Sequence, residues 1–314
     1  MARLRPLLTG AIALLATGGG DARPHARADT SPAPLVEHRA TVFSQRIRYV
    51  EAGAGPALIL VHGLADSLEV WRAEIDVLAR RHRVVALDQI GFGLSDKPLL
   101  SYRAQTLVDF LDEFMRVLGV QHATLVGNSL GGWIAALMSI EHPERIDALI
   151  LVDSAGMASL PGALGPKVLR ALRLASVEDL QVLGPLSFAD PRFYTPGEAL
   201  RKAFAERVAA GDGYTIGQIM DSISRGDDVL DGQLDRIRCP TLVVWGREDR
   251  LIPLRFAEQL HQGIPGSRLT VLDRCGHEPQ VECPAAFGGV LQDFLSAPVG
   301  RAQGHGISFQ PRAR

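Results

Sequence analysis

The stretch "VGNSLGGW" (residues 126–133) crowds Gly127, Ser129, Gly131 and Gly132 between an apolar run and a helix-like run. The residues before it, "HATLV", read as a strand buried on both faces, and "GGWIAALMSIEH" after it has helical spacing. Gly127-Asn128-Ser129-Leu130-Gly131 is therefore G-x-S-x-G at a strand-to-helix turn. A turn this sharp forces the serine backbone into a strained conformation. Side chains two positions to either side would collide, so Gly127 and Gly131 are the residues such a turn needs. The turn lifts the Ser129 hydroxyl clear of the sheet. It also puts the Leu130 N–H at a helix N-terminus, where the dipole favours developing negative charge. With 32 glycines in 314 residues, the five-residue pattern alone is a weak signal. Its strand–turn–helix setting makes it a strong one.

The same alternation runs along most of the chain. "RATVF" and "RIRYVEAG" read as a strand pair. "PALILVHG", "HRVVALDQIGFG", "DALILVDSAG", "PTLVVWG" and "SRLTVLD" read as buried strands. Helix-period segments separate them: "SLEVWRAEIDVLARR", "YRAQTLVDFLDEFMRVLG", "PLRFAEQLHQGI" and "PAAFGGVLQDFL". Strands alternating with helices over short links imply an α/β architecture, a mostly parallel sheet with helices on both faces. The pattern breaks over residues 158–236, which hold helical pieces such as "ALRKAFAERVAA", loops such as "LPGALGP", and no strong strand. The expected organisation is a core of residues 41–157 and 237–297 interrupted by a helical insertion at 158–236.

A serine hydroxyl needs a base to become a nucleophile, and the base needs an orienting acid. Asp249 follows the strand "PTLVVWG" and His277 follows "SRLTVLD". Both fall at the C-terminal edge of the sheet, the edge that carries Ser129, in the chain order serine, acid, histidine. Asp153, at the end of another strand, could also serve as the acid. Glu248 is expected to point elsewhere, and Asp273 to end a strand or brace a loop. A tetrahedral intermediate needs two N–H donors. Leu130 supplies one, and the loop His62-Gly63-Leu64 the other, through Leu64. His62 itself is expected to fix that loop by hydrogen bonds. Phe188, Phe193, Tyr194, Tyr214 and Met220 in the insertion are candidate pocket residues, with packing inside the insertion as the competing role.

Composition narrows the classes. A formal charge of −2 with no basic stripe argues against a nucleic-acid partner. Apolar residues make up 46%, enough for a large core. Cys239, Cys275 and Cys283 show no metal-type spacing, and their odd count argues for idle thiols, a Cys275–Cys283 bridge being open only in an oxidising compartment. Arg3, Arg5, the apolar stretch Leu7–Ala16 and the "ARA" site at 26–28 follow the grammar of a signal peptide (residues 1–28) ahead of a linker at 29–40. Export to the periplasm or beyond is therefore expected, with no stable membrane span after the leader is removed; an N-terminal anchor at 1–28 and a cytoplasmic location are the alternatives. The tail, 298–314, is polar and expected to be disordered.

Taken together, "HGL" (62–64), "DQIGFGLSDKP" (88–98), "GNSLGG" (127–132), "GREDRLIP" (246–253) and "GHEPQ" (276–280) resemble the α/β-hydrolase fold superfamily over residues 45–155 and 237–295. The resemblance implies an eight-stranded sheet and a helical cap inserted after the sixth strand. It implies Ser129 as nucleophile, Asp249 as acid, His277 as base, and no metal or organic cofactor. A serine at 129 sets the chain apart from members similar to haloalkane dehalogenases and epoxide hydrolases, which carry aspartate there. Two serine subgroups are closest: carboxylesterases and lipase-like enzymes acting on small-molecule esters, and hydrolases of carbon–carbon bonds in ring-cleavage products. The second group usually has Trp after the catalytic His and an "HGxGPG"-like loop, whereas this chain has Glu278 and "HGLADS". Ester hydrolysis is the expected activity, carbon–carbon hydrolysis the alternative, and a non-catalytic binding protein of the same fold a third reading. Oligomeric state has no signature in the sequence.

Overall fold

The computed structural model describes residues 35–194 and 197–296, together with the backbone of 307–309. Nine strands among them form one sheet: β1 (Val36–Val42), β2 (Gln45–Ala52), β3 (Ala57–Val61), β4 (Arg83–Leu87), β5 (Ala123–Asn128), β6 (Ile146–Val152), β7 (Thr241–Gly246), β8 (Arg268–Leu272) and β9 (Ile307–Phe309). Their order is β1-β2-β4-β3-β5-β6-β7-β8-β9. The β1–β2 and β2–β4 pairs are antiparallel and every later pair is parallel. Ten α-helices among the described residues connect or interrupt the strands: α1 (Arg72–Leu78), α2 (Ala104–Val117), α3 (Leu130–Glu141), α4 (Leu160–Ala171), α5 (Val177–Ser187), α6 (Glu198–Ala209), α7 (Gly213–Arg225), α8 (Arg255–Gly263), α9 (Pro279–Glu282) and α10 (Pro284–Ser296).

The central strands are apolar throughout because both sheet faces are covered. Period-two alternation divides their side chains between two cores. Ile59 and Val61 of β3 face the core built with α2, α3 and α8, while Leu58 and Leu60 face the one built with α1 and α10. Helices α4 to α7 fill the gap between β6 and β7, so the insertion leaves the sheet at its C-terminal edge.

Four expectations need correction. The core begins at Val36, inside the segment expected to be linker. As an edge strand with four exposed residues in a row, β1 lacks the apolar signature of a buried strand. Part of the tail, Ile307–Phe309, pairs in parallel with β8 and adds a ninth strand. "LPGALGP" belongs to α4, whose two helical pieces meet at a kink where Gly165 has φ 73° before Pro166. Cys275 and Cys283 form a disulfide, and only Cys239 is a free thiol. The proposed leader lies outside the described residues. No helix among the described residues is long and apolar enough to cross a membrane.

Candidate active site

Ser129 lies between the last residue of β5 and the first residue of α3, with φ 55° and ψ −117°, a backbone region that L-residues rarely occupy. Its N–H donates to Val152 O, and its carbonyl accepts from Trp133 and Ala155. The neighbouring glycines have separate causes. A Cβ on Gly127 would sit 2.2 Å from Gly131 O, across the turn. One on Gly131 would sit 2.2 Å from Val61 O and 2.6 Å from His62 O, on the adjacent strand. The collision expected within the turn therefore exists for Gly127. Gly131 is held small by β3 instead. Gly63 faces the nucleophile position, where a Cβ would come within 3.3 Å of the Ser129 Cβ.

His277 and Asp249 meet as expected: His277 Nδ1 lies 2.8 Å from Asp249 Oδ2. The other carboxylate oxygen, Oδ1, accepts the N–H groups of Leu251 and Ile252, each at 2.8 Å. Both residues are buried at about one-twentieth exposure (5%). Burial alone would lower the His277 pKa, but the charge and hydrogen bond of Asp249 outweigh it and hold the pKa above the ordinary histidine value. With Nδ1 engaged, Nε2 is the nitrogen left to act as base. Ser129, His277, Leu64 and Asn128 line one cavity.

Asp153 is not the acid partner of the imidazole. Its Oδ1 accepts the Gly246 N–H at 2.9 Å, and its Oδ2 is buried without a donor. Asp153, Asp249 and His277 bring their polar atoms within 4.8 Å of one another. Burial, and then the charge of Asp249, push the Asp153 pKa far above the carboxylate range, so it is the protonated member of the pair. An O–H on Oδ2 gives that oxygen the partner it otherwise lacks.

The remaining motifs act as struts. His62 Nδ1 lies 2.8 Å from Gly63 O, and its Nε2 accepts the Gln89 N–H at 3.0 Å. That pairing makes His62 a neutral imidazole protonated on Nδ1, and full burial lowers its pKa in the same sense. The Gln89 side chain returns a bond to His62 O at 2.7 Å. Asp88 accepts from Leu68 and Leu94 and pairs with Arg48. The "DQIGFG" loop thus fixes the His62–Leu64 loop. Leu64 lines the cavity, and the Leu130 N–H is in the first turn of α3, where backbone donors have no intrahelical acceptor.

Asn128 was not singled out in the sequence. Its amide donates to His277 O at 2.9 Å and Val152 O at 3.2 Å, tying the serine turn to the histidine loop. Glu248 points away from His277, accepting the Cys275 N–H at 3.0 Å, and Asp273 pairs with Arg247.

A model of the α/β-hydrolase fold family matches residues 56–284. The chain belongs to this family. This α/β hydrolase is 31% identical over 259 residues to a 2-hydroxymuconate semialdehyde hydrolase of Pseudomonas sp. (strain CF600), covering 78% of this chain and 89% of the relative. Among solved structures it is similar to a membrane phospholipase A described as a bacterial virulence factor (TM-score 0.75, 32% identity, 83% of this chain and 86% of that one). It is also similar to a meta-cleavage product hydrolase (TM-score 0.73, 26% identity, 82% and 97%).

The insertion of this α/β hydrolase contributes most of the cavity wall. Phe188, Phe193 and Tyr194 line it as expected, Phe188 stacking on Phe193 with ring centroids 5.2 Å apart. Tyr214 and Met220 do not. In α7, Ile216, Ile219 and Met220 share one buried face at helical spacing, so Met220 packs inside the insertion. Tyr214 is exposed, its hydroxyl donating to Leu100 O at 3.2 Å. The wall instead uses Leu172, Leu174, Leu180, Leu183 and Leu200. The C-terminal carbonyls of α5 also brace the rim. Leu186 O accepts from Arg250 and Leu251 at 3.0 Å, and Ser187 O accepts from His277 at 2.6 Å.

Proposed function

We propose that this α/β hydrolase cleaves uncharged carboxylic esters with apolar acyl groups. His277 removes the Ser129 proton as Ser129 attacks the ester carbonyl. Asp249 holds the ring as the Nδ1–H tautomer and stabilises its cation. The N–H groups of Leu64 and Leu130 receive the developing oxyanion. The alcohol leaves with a proton from His277, and water, activated by the same ring, releases the acid. The observation that carries the reading is a strained Ser129 sharing one cavity with an imidazole that is 2.8 Å from a buried carboxylate.

The choice of ester over a ring-cleavage product rests on the cavity wall. The relative's 2-hydroxymuconate semialdehyde is a carboxylate. Among the described residues no arginine or lysine lines this cavity, which is built mainly of leucine and phenylalanine with two acids, Asp66 and Glu278. An anionic substrate would be buried there without a partner. The likeness to a phospholipase A, an ester-cleaving enzyme by its name, favours the same choice. The Cys275–Cys283 bridge supports an exported enzyme, because such bonds persist in oxidising compartments.

Hydrolysis of p-nitrophenyl butyrate beside a meta-cleavage dienoate tests the proposal. The wild type is expected to turn over the ester by a clear margin, and Ser129→Ala to lower kcat by roughly four orders of magnitude or more with the melting temperature nearly unchanged. Preference for the dienoate, or ester turnover that survives the substitution, contradicts it.

A further inference from the structure

Two acids in the cavity have no part in the steps above. Asp66 follows the His62–Leu64 loop, and Glu278 follows the imidazole directly. Both line the cavity that holds Ser129. Asp66 is nearly buried, with Oδ1 taken by the Ser67 N–H at 2.9 Å. Glu278 is partly buried, and its Oε2 is shut away with no hydrogen-bond partner. A buried carboxylate oxygen with no donor, on the wall of a reaction cavity, has either a proton or a ligand missing from it.

We propose that Asp66 and Glu278, two carboxyl groups on a cavity wall with no arginine or lysine among its described residues, set the charge of the substrate, admitting uncharged esters and rejecting those that carry a carboxylate. The inference rests on the ester reading of the site. Burial and neighbouring carboxylates raise the pKa of each acid. Burial, and then the charge of Glu278, push Asp66 far above the carboxylate range. Burial likewise raises Glu278, to about 7, against the opposing pull of the His277 cation. The other groups facing the pair do not relieve it. Asp88 adds to the Asp66 shift, and Asp249 and Glu282 add to that of Glu278. Glu282 is itself spoken for, accepting the Asp190 and Gly276 N–H groups.

The pair therefore keeps a proton at low pH and gains charge as pH rises through neutrality. A protonated carboxyl group tolerates a neutral acyl chain and can donate a hydrogen bond to it. A substrate carboxylate beside the pair meets like charge, with no arginine or lysine among the described lining residues to offset it.

The test compares kcat/KM for p-nitrophenyl butyrate with that for mono-p-nitrophenyl glutarate, whose acyl chain ends in a carboxylate, between pH 5.5 and 8.5. Taking the ratio of the two cancels the titration of His277, which both substrates share. The wild type is expected to prefer the butyrate by about 100-fold at pH 8.5 and by about tenfold less at pH 5.5. Glu278→Gln and Asp66→Asn, tested singly and together, are expected to narrow the high-pH ratio about tenfold and flatten its pH dependence. The wild-type pH dependence stands as a test even where a variant fails to fold. A wild-type ratio independent of pH, or one that is unmoved in variants that still cleave the butyrate, overturns the proposal. No Ser129-dependent cleavage of either ester would instead overturn the ester reading beneath it.

Discussion

Around Ser129 the residue types are set by backbone contacts, whereas on the facing wall of the same cavity they are set by apolar packing. At the turn, a Cβ on Gly131 meets the Val61 carbonyl, one on Gly127 meets the Gly131 carbonyl, and the Asp249 carboxylate is fixed by two main-chain N–H groups. Backbone atoms cannot move aside, so few residues are tolerated. In the insertion, Leu172 just past α4, Leu180 and Leu183 of α5 and Leu200 of α6 line the cavity, and Gly162 has nothing within 4 Å of where a Cβ would be. The two regions meet through the α5 carbonyls of Leu186 and Ser187, which hold the acid and histidine loops. A rigid half for chemistry and an adaptable half for the substrate follow from these two kinds of constraint.

The contrast predicts a graded series of effects. Asp249→Asn is expected to lower kcat by roughly 10³- to 10⁴-fold, since the imidazole loses its orienting charge. The acid limb of the pH–rate profile should also move. In the proposed mechanism His277 acts as base only when neutral, and Asp249 holds its pKa above the ordinary value, so activity is expected to be lost as pH falls through that raised pKa. Without the carboxylate charge the limb shifts to lower pH. A pH profile of kcat/KM for both proteins checks this.

Paired glycine substitutions sharpen the comparison. Gly131→Ala forces a methyl group against the Val61 and His62 carbonyls and is expected to cost about 2–4 kcal/mol and about 100-fold in kcat/KM. Gly162→Ala, in α4 with open space around it, is expected to leave activity unchanged and raise stability by up to about 1 kcal/mol. Thermal melts and ester kinetics on the two variants would break the comparison if the effects came out alike. The smallest effect expected is that of Leu183→Ala on the cavity wall. It should raise KM for a butyryl ester by about tenfold with kcat within about threefold, because it removes apolar binding surface common to ground and transition states.

This division also explains what could be read from the sequence. The placement of Ser129, Asp249 and His277 at one sheet edge was legible because a strained turn and two loops at strand ends restrict both residue type and chain order. The sheet was legible from apolar runs that only strands buried on both faces need. Cap residues were not, since a phenylalanine or methionine at helical spacing looks the same whether it faces a cavity or a core. Phe188 and Phe193 reached the cavity while Met220 did not, a difference set by how α7 docks. Asp66 and Glu278 stood in the sequence without a role, and Asn128 gave no signal because its partners, the Val152 and His277 carbonyls, come from other loops. The Cys275–Cys283 bridge spans only eight residues, yet the free Cys239 left the thiol count odd and hid the pair.

Labelling the folded protein with a fluorophosphonate and mapping the adduct by peptide mass spectrometry tests the nucleophile directly. The expected result is a single adduct on the peptide carrying Ser129, absent from Ser129→Ala and formed at least about 100-fold more slowly in His277→Asn. An adduct on another residue, or labelling that persists after Ser129 is replaced, would contradict the assignment of Ser129 and His277 as nucleophile and base.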